Sequence, residues 1–329
     1  MTAPVFDVLT MGRVSVDLYP EQSGLALAEV RSFAKSLGGS PTNVAVAAAR
    51  LGRSSAVITR VGADGFGPYV RNALRGFGVD DRYVGTDPDL RTPIVFCELH
   101  PPDHFPLLFY RHPTAPDIKL RLDQLDLDGV ERAKVFWTTG TGLSDEPSRT
   151  ATLGALEARG RRGITIHDLD FRPTLWPEPG AAGAYQRCAL KHATVAIGNL
   201  EEVTVAVGEG SPDLLARRLL AQGPKLAIVK LGDQGVMVAW ETETAQRETA
   251  RVEPVRVSVV NGLGAGDAFG GAVCHGLLAG WEPVRVVRFA AAAGAFVAAR
   301  LACADAMPTE ADVLHLLEET GQTLTESTW

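Results

Sequence analysis

The strongest constraint on this chain is the rhythm in which short apolar runs alternate with helical patterns. Residues 5–11, 56–61, 135–139, 163–167, 194–197 and 225–230 are short and mostly apolar. Runs of this length read as strands, and several lack polar alternation, which predicts a sheet covered on both faces. Helical spacing fills the gaps. Ser40 is placed to cap a helix, with Pro41 at its first position and Gly52 just past its end. Residues 212–221 and 283–300 read as two further helices. Strand and helix in alternation predict an α/β fold, a doubly wound, mostly parallel sheet flanked by helices.

Two segments break the rhythm. Residues 13–35 mix polar and apolar side chains with no strong helix. Residues 93–111 hold two strands, PIVFCEL and LLFYR, joined by HPPDHFP, and such a hairpin should project from the sheet. Together they predict a small β lid built from segments of about 13–37 and 91–113. No repeat, low-complexity tract or linker interrupts the rest, so residues 1–329 are expected to form one domain carrying that lid.

Composition narrows the function. A hydrophobic share of 46% suffices for a sizeable core, and a net charge of −7 without a long basic run argues against a nucleic-acid partner. No apolar run approaches a membrane span, and MTAPVFDVLTMG lacks a signal peptide's pattern, so the cytoplasm is expected. Cys97, Cys188, Cys274 and Cys303 form no CxxC pair and read as scattered buried thiols. The histidines make no metal-like cluster: His100 and His104 flank the lid loop and His167 ends a strand, where packing or surface roles are expected.

The most chemical segment is Asn261-Gly262-Leu263-Gly264-Ala265-Gly266-Asp267, which runs directly into a helical stretch. Glycine lets backbone approach a ligand, and a helix N-terminus offers free N–H groups and a positive dipole end. Such a site suits a phosphoryl group that gains charge during transfer, with Asp267 able to take a proton from an attacking hydroxyl. A turn with a capping Asp is the plainer alternative. The segment lies too late in the chain for a dinucleotide fingerprint, and no acidic residue follows a strand at the expected distance. Asn199 and Glu202 stand three apart at a strand–helix junction, on one face. They could organise Mg²⁺ through water, or simply form a capping box.

GAGDAF opening a late helix resembles the signature of the ribokinase-like (PfkB) carbohydrate kinases, and GGSPTNVA, from Gly38 to Ala45, stands in the place of that family's glycine-pair signature. Asp17, DLDFRP (168–173), NLEE (199–202) and KLGDQG (230–235) follow in family order. The resemblance spans essentially the whole chain. It implies an ATP-dependent kinase acting on a small sugar-like alcohol, with Mg²⁺ as cofactor and Asp267 as base beside the N–H groups of Gly264, Ala265 and Gly266. It implies acceptor contacts from Asp17, Gly38, Gly39 and Asn43, and nucleotide contacts from Arg172, Asn199, Lys230, Gly232 and Gly235, with Glu202 and Asn199 near the metal. Dimerisation through the lid comes with it.

Where relatives more often have Asn, this chain has Asp170, which puts a direct role there in doubt. Many relatives also open the late motif with Asp-Thr beside a K⁺ site. Asn261 and Gly262 here remove a charge and an oxygen ligand, so K⁺ dependence is doubtful. MGRVSVDLYPEQ, LGGSPTNVAVAAARLG and PPDHFPLLFYRHPTAPD are similar to a branch that phosphorylates the 6-hydroxyl of a keto-deoxy sugar acid. Arg13, Lys35 and Arg111 are the candidate carboxylate readers, Arg111 because a similar Tyr-Arg pair occurs in kinases of such acids. The alternatives are 2-dehydro-3-deoxygluconate or a ketohexose such as fructose as acceptor, a non-catalytic sugar or nucleotide sensor, and, more distantly, a nicotinamide oxidoreductase.

Overall fold

The computed structural model describes residues 6–324. Its strands are β1 (Val8–Met11), β2 (Ser15–Pro20), β3 (Phe33–Gly38), β4 (Ser55–Gly62), β5 (Val79–Asp80), β6 (Val84–Asp87), β7 (Ile94–Cys97), β8 (Leu107–Tyr110), β9 (Val135–Thr139), β10 (Ile164–Asp168), β11 (Val195–Asn199), β12 (Leu226–Lys230), β13 (Val236–Glu241) and β14 (Arg247–Val252). The helices are α1 (Ser40–Arg50), α2 (Phe66–Gly76), α3 (Leu127–Arg132), α4 (Ser148–Arg159), α5 (Ala182–Leu190), α6 (Leu200–Val207), α7 (Pro212–Ala221), α8 (Ala265–Leu278), α9 (Pro283–Ala298) and α10 (Glu310–Glu319).

The main sheet runs β14-β13-β12-β11-β10-β9-β1-β4-β5, with β6 also on β4. All pairs from β12 to β5 are parallel, while β13 and β14 add antiparallel at one edge. Successive side chains of a strand point to opposite faces, and the apolar runs obey this. Val8, Val57, Val135 and Trp137 join α1, α8 and α9 on one face. Leu9, Met11, Ala56, Ile58 and Phe136 join α4 and α5 on the other. A second sheet, β3-β2-β7-β8, forms the lid, with the β7–β8 hairpin where the sequence predicts it.

Some expectations shift. The first strand begins at Val8, and its expected start, Val5, lies outside the described residues. The helix expected over 283–300 ends at Ala298. Ser40 does not cap α1: the N-cap is Gly39, at φ 99°, with no side-chain cap bond. A β-carbon on Gly39 would lie 2.5 Å from the Arg13 carbonyl oxygen, so the helix starts where a side chain has no room. The cysteines are free, and Cys188 is exposed rather than buried. The β13–β14 hairpin has no counterpart among the expected strands, because RETARV is a polar edge strand whose apolar pattern is weak. No described helix is long and apolar enough to cross a membrane.

Candidate functional site

Parallel strands β1, β9, β10, β11 and β12 all end at the same edge, and the lid stands over it. Arg13 follows β1, Asp168 closes β10, Asn199 closes β11 and Lys230 closes β12. Helices α1 and α8 begin opposite them. Both start on a positive-φ glycine, Gly39 at 99° and Gly264 at 81°, and neither start carries a side-chain cap. No side chain caps the N–H groups of Ala265 and Gly266 at the start of α8, which leaves them for a ligand, while Asp267 N–H bonds to the Gly264 carbonyl at 3.1 Å. The two helices pack closely: a β-carbon on Gly271 would come within 2.3 Å of the Ala47 side chain. That approach brings the first turns together, so Asn43 Nδ2 donates to Asp267 Oδ2 at 2.8 Å.

Between these elements lies a cavity of about 150 Å³, lined by Arg13, Asp17, Gly39, Asn43, Arg172, Glu202, Lys230, Gly264, Gly266 and Asp267 among others. Burial raises the Asp267 pKa above the ordinary carboxylate range, against hydrogen bonds from Asn43 and Ser40 that lower it. Asn43 Oδ1 is buried without a partner, so it can accept from a ligand hydroxyl. Asp17 is pushed up to about 6 by burial, although the Ser15 hydroxyl donates to it at 2.6 Å. Gly38 stays outside the lining but lets Asp17 fit, since a β-carbon there would meet the carboxylate at 2.0 Å. Ala265 opens α8 without lining the cavity.

The charged end of the cavity is a network. Asp170 lies between Arg13 (3.7 Å) and Arg172 (3.4 Å), and Arg172 also faces Glu202 at 3.6 Å. Burial opposes the Lys230 charge, yet Asp168, Glu202 and Asp267 together raise its pKa. Burial, with Glu202, Asp170 and Asp267 nearby, raises Asp168 against the pull of Lys230. Lys230 also lines an adjoining cavity of about 270 Å³ with Asn199, Leu200 and Gly232. Gly235 is not part of either lining; at φ 86° it turns the chain from β12 to β13, where a β-carbon would meet the Val252 carbonyl at 2.1 Å.

The capping box at α6 is formed: Asn199 N–H donates to Glu202 Oε2 at 2.7 Å, and Glu202 N–H donates to Asn199 Oδ1 at 2.9 Å. With those oxygens spent, direct metal coordination by the pair is poorly served, whereas a hydrated cation reached through water fits Glu202 Oε1, which faces the Arg172 guanidinium at 3.6 Å without a hydrogen bond. Among the described residues no three His, Cys, Asp or Glu side chains are grouped as metal ligands would be.

Two candidate carboxylate readers are placed elsewhere. Arg111 is buried in an ion pair with Asp117 at 2.6 Å and lines a separate cavity with His112 and Trp176. Its lid strand ends at Tyr110, so the side chain turns back onto the chain that follows. Lys35 is exposed on β3 and lies over the Tyr69 ring at 4.3 Å. Other lining residues gave no sequence signal. Tyr19 contacts Cys303 through a 2.6 Å hydroxyl–thiol hydrogen bond, and both line the cavity. Asp168 was visible only as part of the DLDFRP string.

An open α/β sheet with a β lid over its strand ends, and two glycine-started helices meeting in the cleft, is an architecture of small-molecule kinases. The chain belongs to the pfkB family of carbohydrate kinases, whose description it matches over residues 5–310. It is 31% identical over 310 residues to the 5-dehydro-2-deoxygluconokinase of Clostridium perfringens, covering 92% of this chain and 90% of that one. The enzyme of the same name from Geobacillus kaustophilus is 32% identical over 319 residues, covering 95% and 94%. Among solved structures, the fructokinase of Xylella fastidiosa with bound ATP superposes with a TM-score of 0.82 at 25% identity, covering 96% and 99%.

Proposed function

We propose that this chain is an ATP-dependent kinase that phosphorylates the 6-hydroxyl of 5-dehydro-2-deoxy-D-gluconate. The observation that carries the reading is Asp267, a partly buried carboxylate at an uncapped helix start, tethered to Asn43 and facing the cavity under the lid. Relatives bearing that activity's name over more than nine-tenths of this chain support the acceptor. Residues 1–329 act as one kinase domain, with a cytoplasmic address and dimerisation through the lid as parts of the same reading.

Asp17 and Asn43 accept hydrogen bonds from acceptor hydroxyls, Gly39 lets the backbone approach them, and Arg13 meets the carboxylate. Asp267 takes the proton of the 6-hydroxyl as its oxygen bonds to the γ-phosphorus. The bond from that phosphorus to the ADP oxygen breaks, and ADP leaves with its electron pair. The raised pKa of Asp267 suits a base that accepts a proton in the transition state. N–H groups at the start of α8 meet the charge that develops on the phosphoryl oxygens. Lys230, Asn199 and Gly232 hold the nucleotide, and Arg172 clamps its phosphates. Mg²⁺, held through water by Glu202 beside Asn199, would offset phosphate charge. The lid keeps water from competing as nucleophile.

A coupled ATP-consumption assay over a panel of sugar acids and neutral sugars tests this. The sugar acid should be preferred to fructose or ribose by about 10²-fold in kcat/KM, the scale of a charge-assisted contact left unpaired. Equal turnover of fructose would replace the reading with a general sugar kinase, and no ATP consumption with any acceptor would leave a sensor.

A further inference from the structure

We propose that Asp170 is a positioning residue for acceptor choice: it holds Arg13 in the cavity so that the Arg13 guanidinium reads the acceptor's carboxylate. The inference rests on the sugar-acid reading above and adds to it the residue that makes Arg13 effective.

Four observations converge. Asp170 and Arg13 are both buried, at 3% and 9% exposure, on different segments that meet only in the cavity. The two oxygens of Asp170 are divided: Oδ1 faces Arg172, and Oδ2 faces Arg13 while accepting from the Thr141 hydroxyl at 2.9 Å. At 3.7 Å the contact with Arg13 is an ion pair longer than a hydrogen bond, so it orients the guanidinium without consuming its donors. Arg13 Nε is buried and has no hydrogen-bond partner. A buried donor left unpaired is costly, and a bound carboxylate would satisfy it in a fork.

The backbone points the same way. Asp170 sits at φ 22°, outside the regions that non-glycine residues ordinarily occupy. Strain of this kind persists where the surroundings demand it. Here the demand is a carboxylate between two arginines. The lid completes the arrangement: Arg13 lies 5.9 Å from the centre of the Phe109 ring on β8. Arg13 is thus tied to the sheet by Asp170 and to the lid by Phe109, so the same side chain can register acceptor charge and lid position together. An amide at position 170 could accept from Thr141 but could not ion-pair with Arg13.

The test measures kcat and KM for 5-dehydro-2-deoxygluconate and for its neutral carboxamide, with folding checked by thermal unfolding. Asp170→Asn should raise KM for the acid about tenfold, change kcat less, and lower the acid-to-carboxamide ratio of kcat/KM about tenfold. Arg13→Gln should do the same, and the double variant should fall within about twofold of Arg13→Gln alone, because the two act as one device. Should Asp170→Asn fail to fold, Arg13→Lys carries the test: it keeps charge, loses the fork, and should raise the acid's KM at least fivefold. An unchanged or lower KM for the acid in these variants, or losses that multiply in the double variant, overturns the inference while leaving the sugar-acid reading intact. A wild-type enzyme that phosphorylates other sugars but no sugar acid overturns that reading and this inference with it.

Discussion

At the scale of single residues, two carboxylates in one cavity serve opposite ends. Asp267 is the proposed base, and Asp267→Asn keeps its size and its place beside Asn43 while removing the proton acceptor. Steady-state kinetics should show kcat reduced by about 10²-fold or more, with KM for acceptor and ATP changing far less. In the wild-type enzyme, activity should fall as pH is lowered through a pKa above the usual 3.8, because burial raises it and the protonated form cannot act. Near-normal turnover of a folded Asp267→Asn protein would remove Asp267 from the chemistry. Asp17 shows what a buried carboxylate in the cavity costs the fold. Its pKa is raised by burial to about 6, so at pH 8 the carboxylate is ionised in folded and unfolded chains alike, and the folded chain bears the desolvation. Asp17→Asn should therefore stabilise the ligand-free protein at pH 8 by on the order of 1–2 kcal/mol while weakening acceptor binding. That advantage should shrink as pH falls from about 6 and vanish below about 4, where Asp17 is protonated in both states. Thermal melts at pH 8 and pH 4 check it, and an equal advantage at both would exclude the electrostatic account.

At the scale of elements, the start of α8 decides a second property. Asn261 is fully buried, donating to the Leu301 carbonyl at 2.6 Å and accepting from Leu263 N–H at 3.0 Å. Its amide is occupied in shaping the loop, and Gly262 beside it offers no oxygen. A hard monovalent cation would have to be held without those two side chains. Replacing K⁺ with a bulky organic cation at equal ionic strength should change kcat/KM by less than about twofold, and strong saturable activation by K⁺ would show that backbone carbonyls suffice. The same elements explain what was legible. Arg13, just after a strand, and Asp267, in a helix's first turn behind a glycine loop, line the cavity from places that the apolar pattern marks, whereas Asp17, Asn43 and Lys230 line it from strings that stood out only through the family resemblance. Gly39 as the helix start was less legible than Ser40, because its position depends on contact with Arg13, a tertiary fact. Gly235 looked like a nucleotide residue but serves a turn, since a positive φ is needed for both and the sequence carries no sign of which. Tyr19 and Cys303 carried no signal: an aromatic and a thiol are ordinary core residues until they meet.

At the scale of the molecule, the alternation of strands and helices was enough to specify the layered sheet, whereas which lid residues face the cleft was not. Leu107 and Phe109 share the face of β8 that meets the cavity, whereas Arg111 lies just past the strand's end at Tyr110, where strand alternation no longer sets its direction. Arg111 instead braces the lid to the body through Asp117. Arg111→Ala should therefore lower stability by about 3–5 kcal/mol, as removing one partner of a buried pair does, and leave the preference for sugar acid over neutral sugar within about threefold. Chemical denaturation together with competition kinetics would check both halves, and a collapsed preference with intact stability would return Arg111 to the acceptor site.

The hydroxyl–thiol hydrogen bond between Tyr19 and Cys303 has a consequence for biosynthesis. It closes the cavity across 284 residues of chain. At a ribosomal pace of about 5–20 residues per second, the N-terminal wall waits roughly a quarter of a minute to a minute for its counterpart to be made. For most of that interval Asp17 and Asn43 belong to a nascent polypeptide without the late glycine loop, and for all of it they lack the closing thiol. A chain that stops short of Asp267 thus has the early wall of the cavity without the late carboxylate that faces it, and the cavity is complete only once the segment bearing Cys303 has been made.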